Sequence, residues 1–402
     1  MLNVSTFLLS MPLPKPFVPV IPICPYFFEC GGCDSQDVAY ADQISFKEES
    51  LKGLFGPLGN SFPWKPFLAS TEKYPKFYRN KIRFSFVEHD GVIYPSRHRK
   101  GDEKADIPVE QCFLQSEICN SLIRFTASFA TTHNWSLYNP LTGTGWLKHM
   151  LVREGKNTGE VLVCLVTDTA PIPGGTEWVS LLTKQFPNVV SVHHTTTNGK
   201  SSSELTTKKL FGTDGIREKV GDYIFFISPH AFFQTNSRMI EVLYTTIRDT
   251  VQENGAKHVW DLYAGSSTIG IFVSQVANKV TCIESNPANI SDAELNISNN
   301  SIKNVHMVGG TVEKVLTSAF IKEEGTPDLI IVDPPRAGLS EHIKQLLPNI
   351  GPHSLIYVSC NPYTCARDCQ ELVRKGYAIQ SVRGIDMYPH TLHCEMIVEL
   401  KK

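Results

Sequence analysis

From about Ser228 onward, short apolar runs alternate with stretches of helical length. This alternation constrains the fold more than any other feature. The runs are "HVWDLYAG", "VTCIESN", "DLIIVDPPRAG" and "SLIYVSCN". Strands separated by helices pair in parallel, and such a sheet is covered by helices on both faces. Ligands of open α/β sheets sit at the carboxyl ends of the strands. The residues that close each run are therefore the first candidates for chemistry.

With 402 residues the chain is longer than one ordinary core, so two or three domains are expected. The expected division is an N-terminal arm with a cysteine-rich segment (1–35), a central mixed α/β part (36–227) and the parallel-sheet part (228–402). Residues 36–57 read as a helix ending at Gly56-Pro57. "KIRFSF", "WLKHMLVRE" and "GEVLVCLVT" read as strands, and Thr195–Lys209 as a polar loop. The opening "MLNVSTFLLSMPLPKPFVPVIPIC" lacks a basic start and is broken by prolines, so it reads as an arm rather than a signal peptide.

The run "VWDLYAGSSTIGIF" reads as strand, turn and helix, with Gly265 allowing a tight turn and close approach of a ligand. It is not the G-x-G-x-x-G fingerprint. The next strand ends at Glu284, placed to accept from ribose hydroxyls, and Asp261 can orient the loop. An adenosine-containing ligand without a pyrophosphate fits, and S-adenosyl-L-methionine answers that description. "VDPPRAGL" is a stiff loop, because its two prolines lack N–H groups. Asp-Pro-Pro-Tyr loops occur in enzymes that methylate exocyclic amines, but here Arg336 takes the aromatic position.

Cysteine usage raises two questions. Eleven cysteines and no export signal argue for a reducing cytosol, not a disulfide framework. Cys360, directly after the run "SLIYV" and Ser359, could be a nucleophile, a metal ligand or a buried small residue. Cys24, Cys30 and Cys33 are spaced C-x5-C-x2-C, with Cys112 far downstream. Four thiolates suit zinc or an iron–sulfur cluster, but the usual pair of C-x2-C elements is missing.

The pieces "FFQTNS", "DLYAGSSTIG", "VDPPRAGL", "VSCNPYTCARD" and "DMYPHTLHCE" resemble, in order and combination, the RNA 5-methyluridine (uracil-C5) methyltransferases. The resemblance implies a class I Rossmann-like methyltransferase domain preceded by a mixed α/β RNA-binding domain and a small iron–sulfur segment. It implies that Cys360 is the nucleophile and Glu395 the general base. Gln234, Tyr263, Glu284 and Asp333 match positions that bind adenosylmethionine, and Thr268 stands where the family usually has Asn. Bacterial members that act on large-subunit (23S) ribosomal RNA hold a 4Fe–4S cluster with a cysteine pattern similar to this one, so the cluster is expected at Cys24, Cys30, Cys33 and Cys112, with zinc second. Many members open with a small β-barrel that binds RNA. The residues before Cys24 are expected to be too few for it, which moves RNA binding to the central part.

The chemistry accounts for the residue types. Carbon 5 of uracil is a poor nucleophile until a thiolate adds to carbon 6, and a base must then remove the carbon-5 proton. The net charge of −2 gives no sign of a nucleic-acid partner, but "KYPKFYRNKIRFSF" carries five cations and no acid, interleaved with aromatics that could stack on bases. Its alternative is a basic strand on a solvated surface. The expected activity is methyl transfer to a uridine of RNA, 23S ribosomal RNA first and transfer RNA next, in the cytoplasm, with no membrane and no obligate protein partner. A 5-methylcytosine RNA methyltransferase is the alternative within enzymes, although Ser359-Cys360-Asn361 is neither the Pro-Cys nor the Thr-Cys setting usual there. An RNA-binding or folding factor is the alternative outside enzymes, but binding alone needs no thiolate.

Overall fold

The computed structural model describes residues 17–58, 62–197 and 205–402. The arm at 1–16 and the middle of the 195–209 loop lie outside the described residues. The parallel sheet is built from β10 (His258–Leu262), β11 (Lys279–Glu284), β12 (Val305–Gly309), β13 (Leu329–Val332), β14 (Ser354–Ser359), β15 (Ala378–Ile385) and β16 (Glu395–Lys401). Their spatial order is β12-β11-β10-β13-β14-β16-β15. The first five pair in parallel, and β16 enters antiparallel between β14 and β15.

Successive residues of a strand point to opposite faces, and both faces here are apolar. Val259, Val280 and Ile331 pack with Ile240, Leu243 and Ile247 of α4 (Ser237–Glu253). Trp260, Ile283 and Ile330 pack on the other side with Ile343 and Leu347 of α9 (Glu341–Ile350) and Leu372 of α10 (Pro362–Arg374). This is the doubly covered sheet that the alternation predicts.

The second sheet holds β1 (Lys81–His89), β2 (Val92–Arg99), β3 (Asp102–Pro108), β4 (Leu147–Glu154), β5 (Val161–Thr167), β6 (Val189–Thr196) and β7 (Thr206–Gly212), in the order β3-β2-β1-β4-β5-β6-β7. Only β5 and β6 among them are parallel, and α3 (Gly175–Gln185) makes the crossover between them. α2 (Glu117–Thr132) and α3 close one face through Cys119, Leu122, Ile123, Trp178 and Leu182. Tyr78, Phe84 and Phe86 are buried, so those rings fill cores and offer no face to a base. The cations Lys73, Lys76 and Arg83 stay exposed.

Two segments expected in the central part pack elsewhere. The first helix, α1 (Tyr40–Phe55), ends at Gly56 as expected, but Leu51 and Phe55 join the apolar cluster under the parallel sheet. The chain after it continues that sheet through bridges from Trp64 to Val382 and from Leu68 to Ile385. The hairpin of β8 (Ile216–Val220) and β9 (Tyr223–Ile227) packs Val220 and Phe225 against the other face. Among the described residues no helix is long and apolar enough to cross a membrane.

Candidate active site

The carboxyl ends of β10, β11, β13 and β14 open on one cavity of about 700 Å³. Gln234, Tyr263, Gly265, Glu284, Asp333, Cys360 and Glu395 all line it. Thr268 does not. It begins the short helix α5 (Thr268–Val273), where its buried hydroxyl donates to the Tyr244 phenol at 2.9 Å.

The turn after β10 is forced. Tyr263, Gly265 and Ser267 have φ of 65°, 56° and 57°, in the left-handed region that only glycine enters without cost. Gly270 lets α5 approach β11, because a Cβ there would lie 2.5 Å from Cys282 Sγ. Glu284 fixes the loop from the neighbouring strand. Its carboxylate accepts from the amides of Gly265 at 2.8 Å and of Ser285 and Asn286 at 2.7 Å each. Lone pairs of those oxygens remain for a ligand hydroxyl.

The position of Cys360 is equally local. Ser359 ends β14, Asn361 caps α10 by accepting from the Tyr363 amide at 3.2 Å, and Pro362 takes the first helical position. Cys360 is therefore held between a strand end and a helix N-terminus. The Asn361 amide and the Thr364 hydroxyl both donate to the Arg336 carbonyl, at 2.8 and 3.2 Å, and tie the Asp-Pro-Pro-Arg loop to the Cys360 loop.

Glu395 reaches the same point from the antiparallel strand. The register pairs Ser359 with Met396, which sets Cys360 across from Glu395. Glu395 is 1% exposed, with Oε2 3.5 Å from the Tyr388 hydroxyl and Oε1 without a hydrogen-bond partner among the described residues. The segment before it is anchored by α1. Lys47 Nζ lies 2.6 Å from Asp386 Oδ1, with side chains 2% and 0% exposed, and also donates to the Tyr388 carbonyl. The Tyr40 hydroxyl donates to Asp386 Oδ2 at 2.7 Å, and the Gln43 carbonyl oxygen accepts from the His390 amide at 3.1 Å.

The electrostatics are those of a cavity crowded with buried acids. Burial, then Glu395 and Asp333, push the Cys360 thiol up to about 12, while the Arg336 guanidinium beside it pulls the other way. Burial and Asp333 hold Glu395 well above the carboxylate range, against Tyr388 and Arg336. Burial raises Asp333 to about 7. Burial, with Asp333 next, raises Asp261 to about 8. Groups that repel one another in this way favour a cationic ligand.

Sequence reasoning missed several wall residues. Gly310, Thr311, Val312 and Glu313 follow the carboxyl end of β12, where the one-turn helix α7 (Val312–Val315) begins. The strand-end rule could have flagged that position. Phe232 is 52% exposed on the cavity wall, a free aromatic face in a stretch quoted only as a motif.

Cys24, Cys30, Cys33 and Cys112 converge on one small cavity together with Arg79 and Arg97. Burial first, and then the neighbouring thiols, push Cys24 to about 11 and Cys33 to about 12. Among the described residues, however, no group of three or more His, Cys, Asp or Glu side chains could hold a metal ion. Cys365, Cys369 and Cys394 are buried among the packed side chains.

Comparisons with known proteins agree with this geometry. Residues 203–402 match the family model described as tRNA (Uracil-5-)-methyltransferase. The chain is 33% identical to an uncharacterized RNA methyltransferase of Bacillus cereus, over 94% of this chain and 82% of the relative. It is 32% identical to one of Bacteroides thetaiotaomicron, over 96% of this chain and 88% of that relative. Among solved structures it is similar to the tRNA (uracil-54, C5)-methyltransferase of Pyrococcus abyssi in complex with S-adenosyl-L-homocysteine. That likeness has 27% identity and a TM-score of 0.75, and covers 92% of this chain and 85% of the other. A helix-covered parallel sheet with its cavity at the strand ends, matched along nearly its whole length by such relatives, places this chain in the uracil-5-methyltransferase family of S-adenosylmethionine-dependent RNA methyltransferases.

Proposed function

We propose that the chain methylates carbon 5 of a uridine in RNA through a covalent adduct at Cys360, with Glu395 as the base. The observation that carries this reading is the antiparallel register of β14 and β16, which sets a thiol and an unpartnered carboxylate oxygen across one cavity. When bound, adenosylmethionine supplies an electrophilic methyl group carried on a cationic sulfonium. The acid-rich wall of Asp333 and Glu395 suits that charge, and Glu284 suits a ribose. Cys360 adds as thiolate to carbon 6, which turns carbon 5 into an enolate-like nucleophile. After carbon 5 is methylated, Glu395 takes its proton, the carbon 5–carbon 6 double bond re-forms and the Cys360 thiolate leaves. Arg336 steadies the thiolate, since its guanidinium is the cation that lowers the Cys360 pKa.

The test is denaturing electrophoresis with a radiolabelled methyl donor and RNA from a strain lacking the gene. Cys360→Ala is expected to form neither product nor adduct. Glu395→Gln is expected to leave methylated RNA attached to the protein, because elimination fails. An adduct formed by Cys360→Ala, or normal turnover by Glu395→Gln, would show the role assignment to be wrong.

Two readings of the RNA class have support. The four-cysteine pattern favours large-subunit ribosomal RNA, whereas likeness to the Pyrococcus abyssi enzyme favours transfer RNA. Mass mapping of 5-methyluridine in both RNAs from the deletion strain separates them. The 4Fe–4S proposal rests on the convergence of Cys24, Cys30, Cys33 and Cys112 on one cavity, and the lack, among the described residues, of a group fit for a metal ion counts against it. Iron and sulfide near four each per chain in protein purified without oxygen would support the cluster, and protein with neither would end the proposal.

A further inference from the structure

A second cavity, also of about 700 Å³ (710 Å³), lies beside the first. Lys81 and Arg83 of β1, His149 of β4, His230, and Asn286, the cap of α6 (Pro287–Asn299), give it polar side chains. The antiparallel register sets Lys81 opposite Arg153 and Arg83 opposite Leu151, so these cations share one face of the sheet with His149. Two short segments divide the cavities. His230 faces this one and Phe232 and Gln234 the other, while Asn286 faces this one and Glu284 the other.

The charges here are unbalanced. Among the described residues no carboxylate lines the cavity. The charged groups acting on Lys81 are Arg153 and Arg83, both cations, and burial together with them lowers it to about 7. Burial, then Arg83, His230 and Lys148, lower His149 to about 3. His230 Nε2 lies 2.9 Å from the Thr195 hydroxyl, and burial followed by four basic neighbours lowers it to about 4. Arg153, the cation behind them, already donates to the Pro229 and Ala231 carbonyls and has the Asp292 carboxylate acting on it, so its charge is largely met. The N-terminus of α6 adds its positive dipole end to the same wall. A half-buried lysine on which the acting charges are both cations is unfavourable in its charged form until an anion joins it.

We propose that this cavity binds phosphodiester groups of the substrate RNA, carrying the backbone next to the nucleotide whose base enters the catalytic cavity. The inference rests on the RNA methyltransferase reading and gives it a substrate path. It also assigns Lys81 and Arg83, two of the five cations of the 73–86 stretch, a role without the stacking partners that the sequence suggested. Phosphate contacts set register and affinity without reading sequence, which suits a site built from Lys, Arg and imidazoles.

The experiment is fluorescence anisotropy with a labelled single-stranded, uridine-rich RNA across a salt series, using full-length wild type, Arg83→Ala, Lys81→Met and the double variant. Arg83 is exposed and Met preserves the Lys81 stem, so the fold is expected to survive, which circular dichroism checks. Each variant should weaken binding about tenfold at low salt. The slope of log affinity against log salt should fall by about 0.7 for each phosphate no longer neutralised, about 1.4 in the double variant. Lys322→Ala, exposed on α8 (Ser318–Glu324), should leave the slope unchanged. Adenosylmethionine affinity by calorimetry should equal that of wild type in every variant. An unchanged slope in the folded double variant overturns the proposal, as does loss of adenosylmethionine binding with the slope intact, which would make the cavity part of the cofactor site. Failure of the methyltransferase reading would show separately, as wild type that binds RNA with the full slope yet makes no 5-methyluridine.

Discussion

Lys47→Met should destabilise the protein by about 3–5 kcal/mol, the cost of leaving a buried charge without its partner. The figure follows from the surroundings of Asp386. Its side chain is 0% exposed, and Lys47 Nζ at 2.6 Å is its ion-pair partner. After the substitution Asp386 keeps the Tyr40 hydroxyl at 2.7 Å and the Tyr388 amide at 3.3 Å, two neutral donors for a full negative charge. The Tyr388 carbonyl also loses its 3.1 Å bond from Lys47. If uncompensated charge is the cause, adding Asp386→Asn should restore most of the loss, because the amide is neutral and its oxygen can still accept from Tyr40. The double variant should stand within about 1–2 kcal/mol of wild type. Urea unfolding followed by tryptophan fluorescence measures all three proteins. A loss below about 1 kcal/mol for Lys47→Met would class the pair with exposed ion pairs. A double variant no better than the single would show that packing of the lysine stem, and not charge, is what matters.

Arg336→Gln should move the pH profile of methylation to higher pH. The guanidinium lowers both Cys360 and Glu395, both must lose a proton to act, and removing it raises both. A profile that keeps its position would separate Arg336 from the catalytic pair. Glu284→Ala should weaken adenosylmethionine by about 10- to 150-fold, the range for hydrogen bonds to a charged group. Because the same carboxylate holds three backbone amides of the loop, its loss also frees Gly265. Unchanged affinity in calorimetry would take Glu284 out of the site.

The parts of this fold that could be read from the chain are those fixed by local spacing. The strands that end at Leu262, Glu284, Val332 and Ser359 announce themselves as apolar runs with cavity-lining residues at or just beyond their ends. The basic stretch shows how local reading goes astray. Lys81, Arg83 and Ser85 alternate with Ile82, Phe84 and Phe86, the period of a half-buried strand. That period sends the rings inward and the cations outward, and the count of aromatics concealed it. Pairings across long separations left no local mark. Lys47 meets Asp386 across 339 positions, and nothing in "QISFKEES" says that one of its charges will be fully buried. Thr268 was placed by its position in a motif, but a residue that opens a helix can turn its hydroxyl back into the core, here toward Tyr244.

The charge pattern of the two cavities bears on the order of events. The catalytic cavity is crowded with acids and the neighbouring one with bases, and each is unfavourable alone. A thiol held near 12 by burial, Glu395 and Asp333 reacts slowly with the wrong electrophile. Burial is the larger cause of that shift, but a cationic ligand beside Asp333 and Glu395 would relieve the part that comes from repulsion, and the thiolate fraction would rise when the site is filled. Alkylation of Cys360 by iodoacetamide should therefore become faster, not slower, with sinefungin, which replaces the sulfonium by a carbon bearing a protonated amine. It should not become faster with neutral S-adenosylhomocysteine. Equal protection by both ligands would mean that they act only by covering the thiol, and the charge argument would fail.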